Sequence, residues 1–290
     1  MTNAGKISPK IIGVPEFSFE FFPTKSEDAL AKLKVTIANL AKFLPEYFSV
    51  TYGAGGSTRD KTFELVKYIK ENTKIPPAAH LTCVGAKTSE TDEIARQYLK
   101  TGVNRIVALR GDVPGFSGKY QPLNGGYAYA DSLVKGLLEI GDFDISVAAY
   151  PEGHPQANSI EADIEHLKRK QDAGAARAIT QYCFNTETIL RFVEKARNSG
   201  ITIPIVAGIL TINSFEQTLS FSKRCGATVP EAIKKLYQGV ASQSESDDIS
   251  TKIALEQCQK LMQNDINQFH FYSLNRHEVA SQVCRILTKL

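Results

Sequence analysis

Residues 17–23 read Phe17-Ser18-Phe19-Glu20-Phe21-Phe22-Pro23, and residues 26–42 behind them place Ser26 ahead of Ala29, Leu30 and Leu33. The first stretch has the composition of a strand, because aromatics favour strands and Pro23 cannot continue a ladder. The second has the signature of a helix, a serine cap before apolar residues at helical spacing. This strand-then-helix unit recurs along the chain. Strands are expected at 47–52, 78–84, 103–109, 144–150, 177–183, 203–210 and 269–272. Helices follow from Arg59, over 89–100, 129–140, 159–172, 187–198, 214–224 and 244–263, and from Arg276, with an extra helical stretch at 231–238. No linker or low-complexity segment interrupts the series.

Segments 106–109 and 203–209 are apolar on both faces, as a parallel sheet covered by helices requires. The expectation is a single-domain α/β protein, a (βα)8 TIM barrel over residues 15–290 after an N-terminal tail of residues 1–14; a doubly wound open sheet is the second choice. The barrel gains because Glu20, Thr51, His80, Arg110, Asp112, Tyr150 and Gln181 all stand where strands end. In a barrel those ends converge on one mouth, where such folds place their sites.

Composition narrows the function classes. Of 290 residues 42% are hydrophobic and 22% charged, and the net charge is +3, as in an ordinary globular protein with no call for nucleic acid or an anionic membrane as partner. Cys83, Cys183, Cys225, Cys258 and Cys284 are widely spaced, with no C-x-x-C. Reduced thiols in the cytoplasm fit them better than disulfides or a metal cluster. Neither a signal peptide nor a membrane span is legible.

Alternation along the first strand puts Ser18, Glu20 and Phe22 on one face and Phe17, Phe19 and Phe21 on the other. Among so many aromatics, desolvation is expected to raise the Glu20 pKa and ready it as a proton donor; an edge-strand glutamate reaching water is the other reading. Gly53-Ala54-Gly55-Gly56-Ser57 lacks the Walker lysine and the dinucleotide spacing, so it reads as a tight turn. Leu109-Arg110-Gly111-Asp112 ends a strand. There Asp112 is either half of a surface ion pair or a charge governing an electron-accepting ring. In the stiff loop Tyr150-Pro151-Glu152-Gly153-His154-Pro155, His154 lacks the neighbours of a metal ligand. Asp163, His166 and Lys170 share one helix side, either as a solvated face or to hold a ribose hydroxyl and a phosphate.

Taken together, the segments resemble the methylenetetrahydrofolate reductases of the bacterial, catalytic-domain type. The marks are residues 17–23, Ser49-Val50-Thr51-Tyr52-Gly53-Ala54, Ala79-His80-Leu81-Thr82-Cys83 and Ala108-Leu109-Arg110-Gly111-Asp112, then Ala148-Ala149-Tyr150-Pro151-Glu152, Ile179-Thr180-Gln181 and Phe269-His270-Phe271-Tyr272. The resemblance implies a flavoprotein oxidoreductase of one-carbon metabolism and methionine supply. It would reduce 5,10-methylenetetrahydrofolate to 5-methyltetrahydrofolate with hydride from NAD(P)H through FAD. It implies Glu20 as general acid and Asp112 as the carboxylate near the flavin. Thr51, His80, Arg110, Gly111, Asp112, Ala130, Tyr150, His154, Asp163, His166, Arg169 and Lys170 are the implied FAD contacts. On the substrate side stand Glu20, Gln181, Phe215 and Arg276. No metal is implied, and a homo-oligomer (dimer or tetramer) is. A flavin-free aldolase or folate-dependent methyltransferase and a non-catalytic flavin- or folate-binding protein are the competing classes. There are two departures. His166 replaces an asparagine, and Ala207-Gly208-Ile209-Leu210-Thr211 lacks the two prolines of Pro-Gly-Ile-Leu-Pro, which is expected to loosen the loop bearing Phe215.

Overall fold

The computed structural model describes residues 13–53, 58–112 and 120–289. Among them eight parallel strands close into a barrel in sequence order. They are β1 Glu16–Phe21, β2 Tyr47–Val50, β3 Pro77–Thr82, β4 Arg105–Leu109, β5 Asp144–Ala149, β6 Arg177–Thr180, β7 Ile205–Leu210 and β8 Gln268–Tyr272. The helices are α1 Glu27–Leu40, α2 Arg59–Asn72, α3 Thr88–Lys100, α4 Ala130–Ile140, α5 Ile160–Asp172, α6 Thr186–Asn198, α7 Phe215–Cys225, α8 Glu231–Leu236, α9 Gln243–Met262 and α10 Glu278–Thr288. Pairing of β1 with both β2 and β8 closes the ring, and the open sheet is thereby set aside. None of the described helices is long and apolar enough to cross a membrane.

Ser26 caps its helix as expected, and three further serines do the same elsewhere. Ser26, Ser159, Ser214 and Ser242 each accept a hydrogen bond from the backbone N–H three residues on, satisfying a donor the helix leaves orphaned. Strand β4 starts two residues later than expected, at Arg105. Val103 is drawn back onto α3 by its N–H to the Tyr98 carbonyl, across Gly102 at φ +70°, a C-terminal cap that needs glycine. The expected tail falls largely on residues 1–12, outside the described ones.

The core has two compartments. Phe17, Phe19 and Phe21 point out of the barrel and are buried with Leu33, Ile37 and Phe48 beneath the helices. Inside, Tyr47, Ala78, Val107, Ile179 and Val206 fill the lower barrel. Gly208 of β7 leaves the room through which the Tyr272 hydroxyl reaches the Thr180 carbonyl, 2.8 Å away on β6. A methyl group at 208 would run into that carbonyl and come within 2.7 Å of the Tyr272 ring. We therefore expect Gly208→Ala to destabilise the barrel by about 1–3 kcal/mol, as overpacking of a filled core does. A urea midpoint equal to that of the parent protein would refute this.

Candidate active site

Parallel closure turns the C-terminal ends of all eight strands toward one mouth, and alternation decides which side chains enter the barrel. At the floor, Arg105 and Arg177 hold Asp144 at 3.3 and 2.6 Å. Higher up, the interior is polar. His270 is fully enclosed, its ring stacked on Tyr47 and its Nδ1 2.7 Å from Ser18 Oγ, which also donates to the Phe269 carbonyl at 3.3 Å. Above this pair Glu20 Oε2 lies 3.4 Å from His80 Nε2 and 3.8 Å from His270 Nε2, with 20% of its side chain exposed.

The charge balance of this cluster differs from the sequence-based expectation. Burial pushes the Glu20 carboxyl up, but the polar contact with His270 and the electrostatic pull of both imidazoles outweigh it, so its pKa lies below the ordinary value. The aromatics expected to desolvate Glu20 face the opposite side of β1. Histidines from β3 and β8, distant in sequence, are what surround it. His80 is pushed down to about 4 by burial, against the pull of Glu20, and is therefore neutral at physiological pH.

Beside the mouth lies a groove of about 310 Å³ between the ends of β4 and β5, the first turn of α4 and one side of α5 along most of its length. All the expected cofactor contacts except Thr51 and His80 line it. Arg110 donates to Gln156 Oε1 at 2.7 Å and lies 4.8 Å over the Tyr120 ring. Arg169 is 3.6 Å from Asp131. Lys170 is buried, donates to the Ala148 carbonyl, and is lowered to about 8 by burial, resisted by Asp163 and Asp131. Asp163 accepts from the His154 N–H at 2.6 Å, fixing the stiff loop over the start of α5. Tyr150 meets His154 edge-on, and Tyr129 meets His166 the same way. Burial, and then the nearest arginine in each case, lowers both histidines. Asp112 stands at the rim, 90% exposed and 3.7 Å from Arg110.

The remaining candidates are dispersed around the mouth. Thr51 follows β2, its carbonyl accepting from the Thr62 hydroxyl. Gln181 follows β6 and accepts from the Tyr182 N–H. Phe215 opens α7 and stacks face to face on Tyr237 at 4.4 Å. Arg276 is held by Asp247 and Glu278, at 3.2 and 3.3 Å. Of the glycine-rich turn, residues 54–57 lie outside the described ones. The loop without prolines is tied down, contrary to expectation: Thr211 donates from both N–H and hydroxyl to the Tyr272 carbonyl, and the Ile212 N–H reaches Ser250. A proline at 211 has no N–H for the first of these bonds. Tyr120, Tyr129, Asp131 and Gln156 of the groove, and Ser18, His270 and Tyr272 of the barrel, were not singled out as site residues from sequence. Two stretches carried a signal as family marks: residues 17–23, whose alternation puts Ser18 on the face of Glu20, and Phe269-His270-Phe271-Tyr272.

Among the described residues no group of three or more His, Cys, Asp or Glu is arranged to hold a metal ion. The buried histidine couples stability to pH. Unfolded, His80 takes a proton below about 6.5, whereas in the fold it does so only near 4. Protonation therefore favours the unfolded chain, and stability falls as pH drops through this window. The slope of unfolding free energy against pH between 6.5 and 4.5 should be shallower in His80→Gln, though not flat, since His154 and His166 are lowered as well. An unchanged slope would show that His80 titrates normally.

A family model described as methylenetetrahydrofolate reductase matches residues 8–288. The chain is 41% identical over 279 residues to the 5,10-methylenetetrahydrofolate reductase of Salmonella typhimurium and 40% identical to that of Escherichia coli, in both cases over 96% of this chain and 92% of the relative. Among solved structures it superposes on a Clostridium thermocellum protein described as binding two copies of 5-methyl-5,6,7,8-tetrahydrofolic acid. The TM-score is 0.64, with 17% identity over 96% of this chain and 95% of the other; at that identity the likeness shows the barrel alone. The match to the family model spans nearly the whole closed barrel, and the chain belongs to the methylenetetrahydrofolate reductase family.

Proposed function

We propose that the chain reduces 5,10-methylenetetrahydrofolate to 5-methyltetrahydrofolate with hydride from NAD(P)H, holding FAD in the groove between β4, β5, α4 and α5 and using Glu20 as the acid. The observation that carries this reading is the juxtaposition of two unlike regions at one barrel mouth. One is a groove furnished with cations, aromatics and acids; the other is a single carboxyl among buried imidazoles.

The donor set of the groove fits a flavin dinucleotide, and the family is generally flavin-dependent. Arg110, Arg169 and Lys170 offer three cations to a diphosphate, Asp163 and Asp131 offer acceptors to ribose hydroxyls, and Tyr150, Tyr129 and His166 offer ring surfaces. When bound, FAD supplies the hydride carrier between nicotinamide and folate. The chain's own residues do the rest. Glu20 delivers the proton that opens the bridging ring of the folate and unmasks its 5-iminium cation. Asp112 contributes negative charge at the rim that favours that cation. Gln181, Phe215 and Arg276 border the same mouth and are assigned to the substrates. The free cysteines suit a reducing cytoplasm, and the family resemblance extends to a homo-oligomer, dimer or tetramer, with one catalytic domain per chain over residues 15–290.

Purified protein should be yellow and should bleach anaerobically with a nicotinamide; colourless protein that FAD cannot reconstitute would overturn the cofactor assignment. Lys170→Met should weaken FAD retention about tenfold to a hundredfold, the cost of one charged hydrogen bond, measured by equilibrium dialysis. In stopped flow, Glu20→Gln should leave flavin reduction by the nicotinamide at its parental rate and slow the folate half-reaction by about 100-fold or more, as loss of a general acid does. Equal losses in both half-reactions would defeat the role given to Glu20.

A further inference from the structure

We propose that the acid of this enzyme is a pair, Glu20 with His270, and that Ser18 is the positioning residue that turns the free nitrogen of His270 toward Glu20. The inference rests on the assignment of Glu20 as acid and adds two residues to it.

The geometry begins with a costly arrangement. Ser18 and His270 are 2% and 1% exposed in the middle of the barrel, beside the apolar layer of Tyr47, Ala78, Val107, Ile179 and Val206, and burying such groups is unfavourable unless their polar atoms are used. One assignment of protons uses every contact present. The Ser18 hydroxyl donates to the Phe269 carbonyl, its oxygen accepts from the Nδ1–H of His270, and the Nε2 of His270 faces Glu20. The opposite tautomer, with Ser18 donating to Nδ1, abandons the Phe269 carbonyl. With Nδ1 always protonated, a single proton shared by Glu20 and Nε2 has two places to rest. The pair is then either carboxylic acid with neutral imidazole, or carboxylate with imidazolium, the two groups standing at ion-pair distance, 3.8 Å.

The other charged and titratable groups around the ring do not supply this proton. His80 on β3 is neutral near pH 7. On β2, Tyr47 stacks against the ring, with Arg105 of β4 and Arg177 of β6, which hold Asp144 of β5, lying over the Tyr47 ring at 5.4 and 6.0 Å. Tyr272 on β8 meets the ring edge-on at 5.3 Å, its own hydroxyl donated to Thr180. On β7 the residue opposite His270 is Gly208, which carries no group. Glu20 is also held below its ordinary pKa, with His270 the largest lowering influence. A carboxylate in that state needs a neighbour from which its catalytic proton comes.

The Nε2–H bond of the imidazolium breaks as the Glu20 carboxyl O–H forms, and that proton passes to the ring nitrogen of the folate as its bond to the bridging carbon opens. The hydride that completes the methyl group comes from the nicotinamide of the family's reaction. His270 is left neutral, and regains its proton at Nε2 through Glu20 from water at the mouth once product has left.

The experiment joins two readouts. Nitrogen-15 NMR of flavin-free protein labelled at histidine should show Nδ1 of His270 protonated from pH 5 to 9; in Ser18→Ala the Nδ1 preference should be lost. In stopped flow, His270→Gln should slow the folate half-reaction by about 10- to 100-fold, within the range of a general acid contribution, with flavin reduction by the nicotinamide unaffected. Ser18→Ala should slow the same half-reaction less and displace its pH profile. An His270 with Nδ1 unprotonated across that range overturns the proposal without any variant having to fold. So does a folate half-reaction of parental rate in His270→Gln when Glu20→Gln is slow. If Glu20→Gln is itself fast, the assignment of Glu20 falls and takes the pair with it, so the two failures are distinguishable.

Discussion

The constraint on which the rest of this molecule depends is the in-and-out alternation that a closed parallel barrel imposes on every strand. Once β1 pairs with both β2 and β8, Phe17, Phe19 and Phe21 must go outward and Ser18 and Glu20 inward. A slip of one residue would exchange the two sets, sending three phenylalanines into the barrel and a carboxylate under the helices. The hydrophobic layer between barrel and helices thus holds the Glu20 carboxyl in register. The phenylalanines that first draw attention to Glu20 serve it by fixing its direction, and its electrostatic surroundings come from other strands.

The interior of the barrel is divided by height. Apolar side chains and the Arg105–Asp144–Arg177 group close the floor, while the layers toward the mouth carry serine, histidine, glutamate and tyrosine. Polar groups at such depth persist where hydrogen bonds use them. Here the strands themselves provide the acceptors: the Phe269 carbonyl for Ser18, the Thr180 carbonyl for Tyr272 and the Glu20 carbonyl for Ser273. A parallel barrel with a polar upper interior therefore uses its own backbone as the support for reactive side chains.

Sequence made the barrel legible because its signals are local. Serine caps, strand runs and the recurrence of strand then helix require only near neighbours, and each helix came within a few residues of its place. The groove was legible in part. Asp163, His166 and Lys170 share a side of α5 by helical spacing alone, and the structure turns that side to the groove. Tyr120, close to Arg110 in sequence, belongs to neither a helix nor a strand that a pattern would mark, and Gln156 escaped because its contact with Arg110 joins residues 46 apart. The direction of the Glu20 pKa was misjudged for the same reason. Its controlling neighbours are 60 and 250 residues away, and only strand order brings them together. Loss of the prolines around Gly208 suggested slack, but a threonine offers two donors where a proline offers none, and the barrel rim uses both.

Asp112 and Glu20 differ most in the medium around them. Glu20 is enclosed by imidazoles and strands, whereas Asp112 stands almost wholly in water at the rim. Counter-ions surround the second freely and reach the first, 20% exposed, far less. With a Debye length of about 8 Å at physiological ionic strength, any field that Asp112 projects onto a bound ring is partly quenched by dissolved salt. The two carboxylates thus give one mouth a charge little affected by dissolved salt and another that the ionic strength around it can tune.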